Sequence, residues 1–455
     1  MIPLTLKQLA SWCDGELLQG VPSAQVKSIS TDSRKVGEGE IFLALKGDRF
    51  DGHDFIGSVA ERKAGVIVVS NLTAETESFS GGIVRVKDTL NALQRLAFNH
   101  RRKSGRLFVV GITGSNGKTS TKDFLGVSLS AAGQVNHTVG NLNNHIGLPL
   151  TILAGHEDDK FGVWEMGMNH PGEIELLAEI SRPDAAIITH VGTAHIEHMK
   201  TREAIAEEKS ALAIAVPARG YCAMPVADDF FEYVSDRVSC ELISVGIGEG
   251  DVRAEAVEVI EGGQTKFVLR SDMDDSPVIV LPVGGFHMVN NALLAAAVAI
   301  RQGIAPNVIA EKLGQVELSG GRLQELIAGG IRFLDDSYNA NPDSVKAALE
   351  TLKISPVGGR RVAVLGFMGE LGEHEREAHL SVGGAVVKTG VDALVTVGAR
   401  AALINEGASG IKENHHFADH DTAFRFLRKF LGEDDLVLVK GSRAAAMEKV
   451  INHFN

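Results

Sequence analysis

Short apolar runs alternate with amphipathic stretches along most of the chain. Leu107–Thr113, Phe161–Met166, Ala185–Val191 and Glu241–Ile247 have the length and Val/Ile content of buried strands. Between them the period changes to that of helices, at Lys118–Ala132, Gly172–Ile180 and Thr201–Ala215, and Gly133 offers a stop after the first. This βαβα alternation predicts a mostly parallel sheet covered by helices on both faces. Val252–Leu269 alternates instead like exposed antiparallel strands, and His287–Arg301 reads as a long helix.

The same alternation occurs on either side. Before it come a short helix at Leu6–Trp12, strands at Ile41–Leu45 and Val66–Val69, and a helix at Thr89–Lys103. After Gly314 come strands at Arg332–Asp336, Arg361–Leu365, Ala393–Val397 and Leu436–Val439, with helices at Ser344–Leu352 and Ala444–His453. The expected fold is α/β in three domains, spanning residues 1–86, 87–315 and 316–455. The length of 455 residues agrees, at roughly 150 residues per domain.

Composition narrows the class. A net charge of −13 argues against a general nucleic-acid binder, which needs clustered Lys and Arg for phosphates. Three cysteines (Cys13, Cys222, Cys240) make neither a disulfide framework nor a four-sulfur zinc site, and they suit a reducing, cytoplasmic setting. The first residues lack the basic and apolar regions of a secretion signal. The longest apolar run, Ala292–Ile300, is far short of the ~20 residues that span a bilayer, so no membrane insertion is expected.

The strongest local signal is Thr113-Gly114-Ser115-Asn116-Gly117-Lys118-Thr119-Ser120, between a predicted strand and a predicted helix. Glycines let backbone N–H groups converge on phosphate oxygens, and the helix N-terminus adds partial positive charge. Lys118 can reach terminal phosphates, and Thr119 can offer its hydroxyl to Mg²⁺. The bland alternative is a Gly-rich turn carrying a surface lysine.

Further candidates end other strands, the edge where open α/β sheets bind ligands. Glu165 could hold a phosphate-bound Mg²⁺. His190, His195 and His198 fall within nine residues, yet zinc-like partner spacing is missing, and His195 near a magnesium site is the better reading. Glu207-Glu208-Lys209 reads from periodicity as a solvated helix face. Asp335-Asp336-Ser337-Tyr338-Asn339-Ala340-Asn341-Pro342 is either a ligand edge or a helix cap with turn residues. Lys440-Gly441-Ser442-Arg443 and Gly320-Gly321-Arg322 place cations at turns, for an anion or for solvent.

These motifs together resemble the Mur ligase family over nearly the whole chain. Thr31-Asp32-Ser33-Arg34, Ile41–Gly47 and Asp51-Gly52-His53 resemble its uridine-nucleotide domain, and Thr113–Thr119 its ATP loop. Asn141–Gly147 and Glu165–Asn169 resemble central motifs, and Gly285–Asn291 the adenine-side motif. Asp336–Pro342, Met368–Gly372 and Lys440–Arg443 resemble the C-terminal signatures, with Phe367 departing from a position that is often acidic. The Asn-Ala-Asn-Pro turn resembles the members that join D-alanyl-D-alanine to UDP-N-acetylmuramoyl-tripeptide. The Asp-Asn-Pro-Arg of the diaminopimelate- or lysine-adding relatives is not found.

The resemblance implies a central P-loop parallel-sheet domain, flanked by a small α/β domain for the uridine nucleotide and a Rossmann-like domain for the incoming amine. It implies ATP, two Mg²⁺ ions and an acyl-phosphate intermediate in a cytoplasmic monomer. Thr113, Gly114, Ser115, Asn116, Gly117 and Ser120 would line the ATP loop, with Lys118 on the β- and γ-phosphates. Thr119 and Glu165 would hold one metal and His195 a second. Lys209 matches a family lysine that is carbamylated in several members, against its reading from periodicity. Asn291 would face adenine, Arg322 the phosphates and Asp336 the ribose. Ser33, Arg34 and Lys46 would meet the uridine nucleotide, Asn141 and Asn144 the same substrate, and Asn339, Asn341 and Lys440 the dipeptide. Two rivals stand beside this reading: a sibling ligase for another amino acid, and a P-loop regulatory ATPase.

Overall fold

The computed structural model describes residues 1–47 and 49–454. Its three larger sheets follow one another along the chain without exchanging strands. The first runs, in spatial order, Glu16–Gln19, Gly82–Arg85, Val66–Val69, Ile41–Leu43 and Ile29–Ser30. Its inner strands are parallel, and Glu16–Gln19 lies antiparallel on the edge.

The central sheet has nine strands. Phe108–Thr113 sits between Asp159–Glu165 and Ala185–Ile188, both parallel to it. Chain order therefore reverses on the two sides of the phosphate-loop strand, which opens a crevice at its carboxyl end. The strand is apolar throughout because helices cover both faces; Val109, Val110 and Ile112 are fully buried. Tyr221–Pro225 and Glu241–Ile247 continue the parallel array, and Val252–Ile260, Gln264–Arg270 and Val278–Leu281 finish it as an antiparallel meander. The alternation expected over 252–269 has this cause, since one face of the meander meets solvent. The helix Phe286–Arg301 carries the longest apolar run, and that run is buried within the core.

The third sheet runs Gln324–Ala328, Ile331–Asp336, Leu436–Lys440, Arg361–Gly366, Ala393–Val397 and Glu413–Phe417, parallel except for its first hairpin. Two expectations need correction. The terminal helix expected over 444–453 is broken: Ala446 takes φ +49°, dividing a turn at Arg443–Ala445 from a helix at Glu448–Asn452. Glu208 and Lys209 do not lie on a solvated face; both are buried. Their helix, Arg202–Ile214, packs that side against Glu173–Ser181, where Glu208 accepts N–H bonds from Gly172 (2.8 Å) and Ile174 (2.7 Å) and so caps the neighbouring helix. Among the described residues no helix is long and apolar enough to cross a membrane.

Candidate active site

The carboxyl edges of the central and third sheets face one another across a cleft of about 920 Å³. The helix Lys118–Leu129 begins directly after the loop, with Gly117 in the left-handed region at φ +81°. A side chain at Gly117 would strike the Asn291 amide, so glycine here lets the second helix approach the loop backbone. At Gly114 a side chain would strike the Thr189 hydroxyl in the same way.

Lys118 Nζ donates to Gly114 O at 2.6 Å, and its burial lowers its pKa, with Glu165 opposing that shift. Thr119 Oγ1 lies 3.2 Å from Glu165 Oε2 and receives a bond from Arg322 Nη2 at 3.0 Å. Arg322 reaches across from the third unit and stacks 4.0 Å over the Tyr338 ring. Glu165 is buried at its strand end, and burial raises its pKa. Its second oxygen, Oε1, is buried without a hydrogen-bond partner. A carboxylate oxygen so placed, beside a hydroxyl and a phosphate loop, fits a hard cation. Among the described residues no three His, Cys, Asp or Glu side chains converge on one point. That donor set suits Mg²⁺, which takes one or two carboxylates plus substrate phosphates and water.

His195, at φ +63°, lies beyond the neighbouring strand, and its Nδ1 is 2.6 Å from Glu370 Oε2 of the third unit. Glu370 also adopts φ +58°, and its carbonyl accepts the Glu197 N–H. Two non-glycine residues in this strained region thus meet across the cleft. Lys209 does not line the cleft. It lies behind Met168, whose sulfur, 3.9 Å away, is its hydrogen-bond partner. Burial, with Lys118 nearby, holds its pKa well below the ordinary lysine range.

From the third sheet, Lys440 Nζ bonds Asp336 Oδ2 (2.5 Å) and Asn339 O (2.9 Å). Burial raises the Asp336 pKa, and Lys440 opposes it. The Asn-Ala-Asn-Pro turn is a helix cap and a cleft wall at once. Asn341 Oδ1 caps Ser344 N at 2.9 Å, while its Nδ2 donates to Asn116 Oδ1 at 2.8 Å. Asn141 and Asn144 also line the cleft, and Asn144 Oδ1 accepts Ile146 and Gly147 N–H groups.

Ser33, Arg34 and Lys46 lie in the first unit and do not line this cleft. The exposed Arg34 forks onto Asp32 at 2.9 and 2.8 Å, which holds the Asp32 carboxyl down at about 2. Sequence reasoning missed several cleft residues. His190 was visible only as one of three nearby histidines, and its partner Asp228 carries no motif. His287 lies inside the adenine-side motif, and burial with Lys440 nearby lowers it to about 4. Asp343, one residue past the Asn-Pro turn, accepts both the N–H and the hydroxyl of Thr193 at 2.9 Å.

Three family models match consecutive parts of the chain. They are the Mur ligase family catalytic domain at 25–101, the Mur ligase middle domain at 112–299, and the Mur ligase glutamate ligase domain at 321–443. A curated Bacillus subtilis protein, UDP-N-acetylmuramoyl-tripeptide–D-alanyl-D-alanine ligase, is 35% identical over 99% of this chain and 98% of its own. The crystal structure of MurF from Acinetobacter baumannii superimposes with a TM-score of 0.92 at 33% identity, covering 99% of this chain and 98% of its own. That of MurF ligase from Thermotoga maritima in complex with ADP does so at 0.83 and 29% identity, covering 94% and 97%.

Proposed function

We infer the reaction from one premise: this chain belongs to the Mur ligase family. It is an ATP-dependent ligase that joins D-alanyl-D-alanine to UDP-N-acetylmuramoyl-tripeptide in peptidoglycan precursor synthesis. The observation that carries the mechanism is that one cleft holds a phosphate loop on one side and the Asn-Ala-Asn-Pro turn on the other, joined at Asn116–Asn341 and Thr119–Arg322. An acyl donor activated at the loop would there meet an amine presented by the third unit.

Joining a carboxylate to an amine in water needs an activated acyl group. The tripeptide carboxylate attacks the γ-phosphate of ATP, releasing ADP and forming an acyl phosphate. Repulsion between these anions opposes the approach, and Lys118 with the loop N–H groups offsets it. When bound, Mg²⁺ at Thr119 and Glu165, with a second ion at His195, supplies further charge neutralisation. Arg322 would steady the phosphates, Asn291 the adenine and Asp336 the ribose. Asn339, Asn341 and Lys440 would border the dipeptide, and Ser33, Arg34, Lys46, Asn141 and Asn144 the uridine-nucleotide substrate. This assigns 1–86 to the uridine nucleotide, 87–315 to ATP and 316–455 to the amine.

Lys209 fits carbamylation, because only a neutral amine reacts with CO₂ and burial favours the neutral form of this one. The resulting anion would put two oxygens on a long stem, suited to Mg²⁺. Three buried free thiols support a reducing, cytoplasmic setting, and we take the working unit to be a monomer.

The test is phosphate release from ATP with Mg²⁺, with and without each substrate. Release that needs both substrates, with a pentapeptide product by mass, is the expected result. Release with neither substrate would move the assignment to a regulatory ATPase. Release only with another amine would reassign the incoming amino acid.

A further inference from the structure

The reaction above leaves one proton without a destination. The dipeptide's amine is an ammonium at neutral pH and must become neutral before it can attack. We propose that His190 Nε2, oriented by Asp228, takes that proton; this rests on the ligase reading given above.

His190 follows the strand Ala185–Ile188 and lines the cleft, with its side chain 40% exposed. Its Nδ1 lies 2.9 Å from Asp228 Oδ2. Asp228 is itself buried and fixed, accepting N–H groups from Val191 (2.9 Å) and Phe230 (3.0 Å). These bonds, with His190, hold its carboxyl below the ordinary range against the effect of burial. A carboxylate so fixed selects the tautomer with the proton on Nδ1 and leaves the Nε2 lone pair free, the geometry of an oriented general base.

The ring also lies where an amine would arrive. The His190 carbonyl accepts the Ser115 N–H of the phosphate loop at 2.8 Å, so the residue is tied to the phosphate side. At Gly192 an added Cβ would meet His190 Nε2 at 2.9 Å and would also strike the Asp343 carboxylate. Nε2 therefore lies at the seam with the helix Pro342–Ile354, which begins at the Asn-Pro turn. The charged groups around the ring are Asp228 on its Nδ1 side and Asp343 on its Nε2 side. Arg202 donates to Val191 O and pairs with Asp229. Asp343 Oδ2 already accepts two bonds from Thr193. Of the other imidazoles lining the cleft, His195 is the residue assigned to the second metal ion in the ligase reading, and His287, lowered to about 4, lies beside Lys440.

The step balances. One ammonium proton passes to Nε2, and the nitrogen lone pair forms the C–N bond at the acyl carbon. The C–O bond to phosphate then breaks with its electron pair. A second nitrogen proton leaves with the phosphate, and the amide keeps the third. His190 returns its proton to solvent.

The test compares two nucleophiles on the full-length enzyme with ATP, Mg²⁺ and UDP-N-acetylmuramoyl-tripeptide. D-alanyl-D-alanine needs deprotonation, whereas hydroxylamine is largely neutral at neutral pH and does not. His190→Gln should slow amide formation roughly 10²- to 10³-fold. It should leave hydroxamate formation and substrate-dependent ATP–ADP exchange within about threefold of wild type, which also shows that the variant folds. Asp228→Asn should give a smaller loss with the same split between nucleophiles, about tenfold. Equal losses with both nucleophiles, or no loss with either, would overturn the proposal. Wild type that forms hydroxamate but no amide from D-alanyl-D-alanine would instead overturn the choice of amine, and the same variants are then compared on the amine that does react.

Discussion

The central and third units each bury a lysine near the cleft, and the two surroundings differ. Lys440 is 3% exposed and has a carboxylate at 2.5 Å and a carbonyl at 2.9 Å. Lys209 is 1% exposed and has a thioether sulfur at 3.9 Å. A buried ammonium is tolerated when an acid shares the low-dielectric space. Without one, burial favours the neutral amine, the form that can act as a nucleophile. Lys440 is therefore held by an acid partner, while in the central unit burial favours the neutral forms of both Lys209 and Lys118.

Four substitutions put that contrast to work. Lys118→Ala should lower turnover about 10³-fold or more, because the group proposed to face the γ-phosphate is lost; steady-state phosphate release reads it. Lys440→Met should destabilise the fold by about 3 kcal/mol, since Asp336 is left buried without its partner. Lys209→Met, at a site with no acid partner, should cost nothing or add stability; urea unfolding of both variants separates the two cases, and equal losses would break the contrast. Lys209→Ala should lower activity about 10²-fold and regain part of it with acetate or propionate. Intact mass in bicarbonate should show one added CO₂ on wild type and none on the variant, and a fully active variant would contradict the role.

A further effect lies outside the cleft. His100 is another buried base, accepting the Ile2 N–H at 3.0 Å, and burial lowers it to about 4. Its folded pKa is below the unfolded value of 6.5, so the unfolded state binds more protons between those limits. Its contribution is full above pH 6.5 and is lost as pH falls toward 4. Stability should drop by about 1 kcal/mol from this residue between pH 7 and pH 5.5, and His100→Gln should flatten that part of the profile.

The strands that position the loop were legible because parallel strands buried on both faces read as unbroken apolar runs. Edge strands were not. Glu413–Phe417 reads Glu-Asn-His-His-Phe, and Glu16–Gln19 reads Glu-Leu-Leu-Gln and is largely exposed, because each lies on the open edge of its sheet. Thr113–Ser120 and Glu165 could be placed because their chemistry is local. Lys209 could not be placed from periodicity, since its burial depends on Glu208 capping a helix 34 and 36 residues back in the chain. Asp228 left no trace in the sequence, because it matters only through a histidine 38 residues away. Residues that act through the chain's own backbone are readable, and residues that act through distant partners await the fold.

The central claim is that the carboxylate is activated on phosphate before the amine attacks. The direct measurement is a complete reaction with UDP-N-acetylmuramoyl-tripeptide labelled with ¹⁸O in the reacting carboxylate, analysed for both products by mass. The account predicts pentapeptide product and one ¹⁸O in each phosphate released. Pentapeptide with unlabelled phosphate would contradict it, because the carboxylate oxygen would never have been bonded to phosphorus.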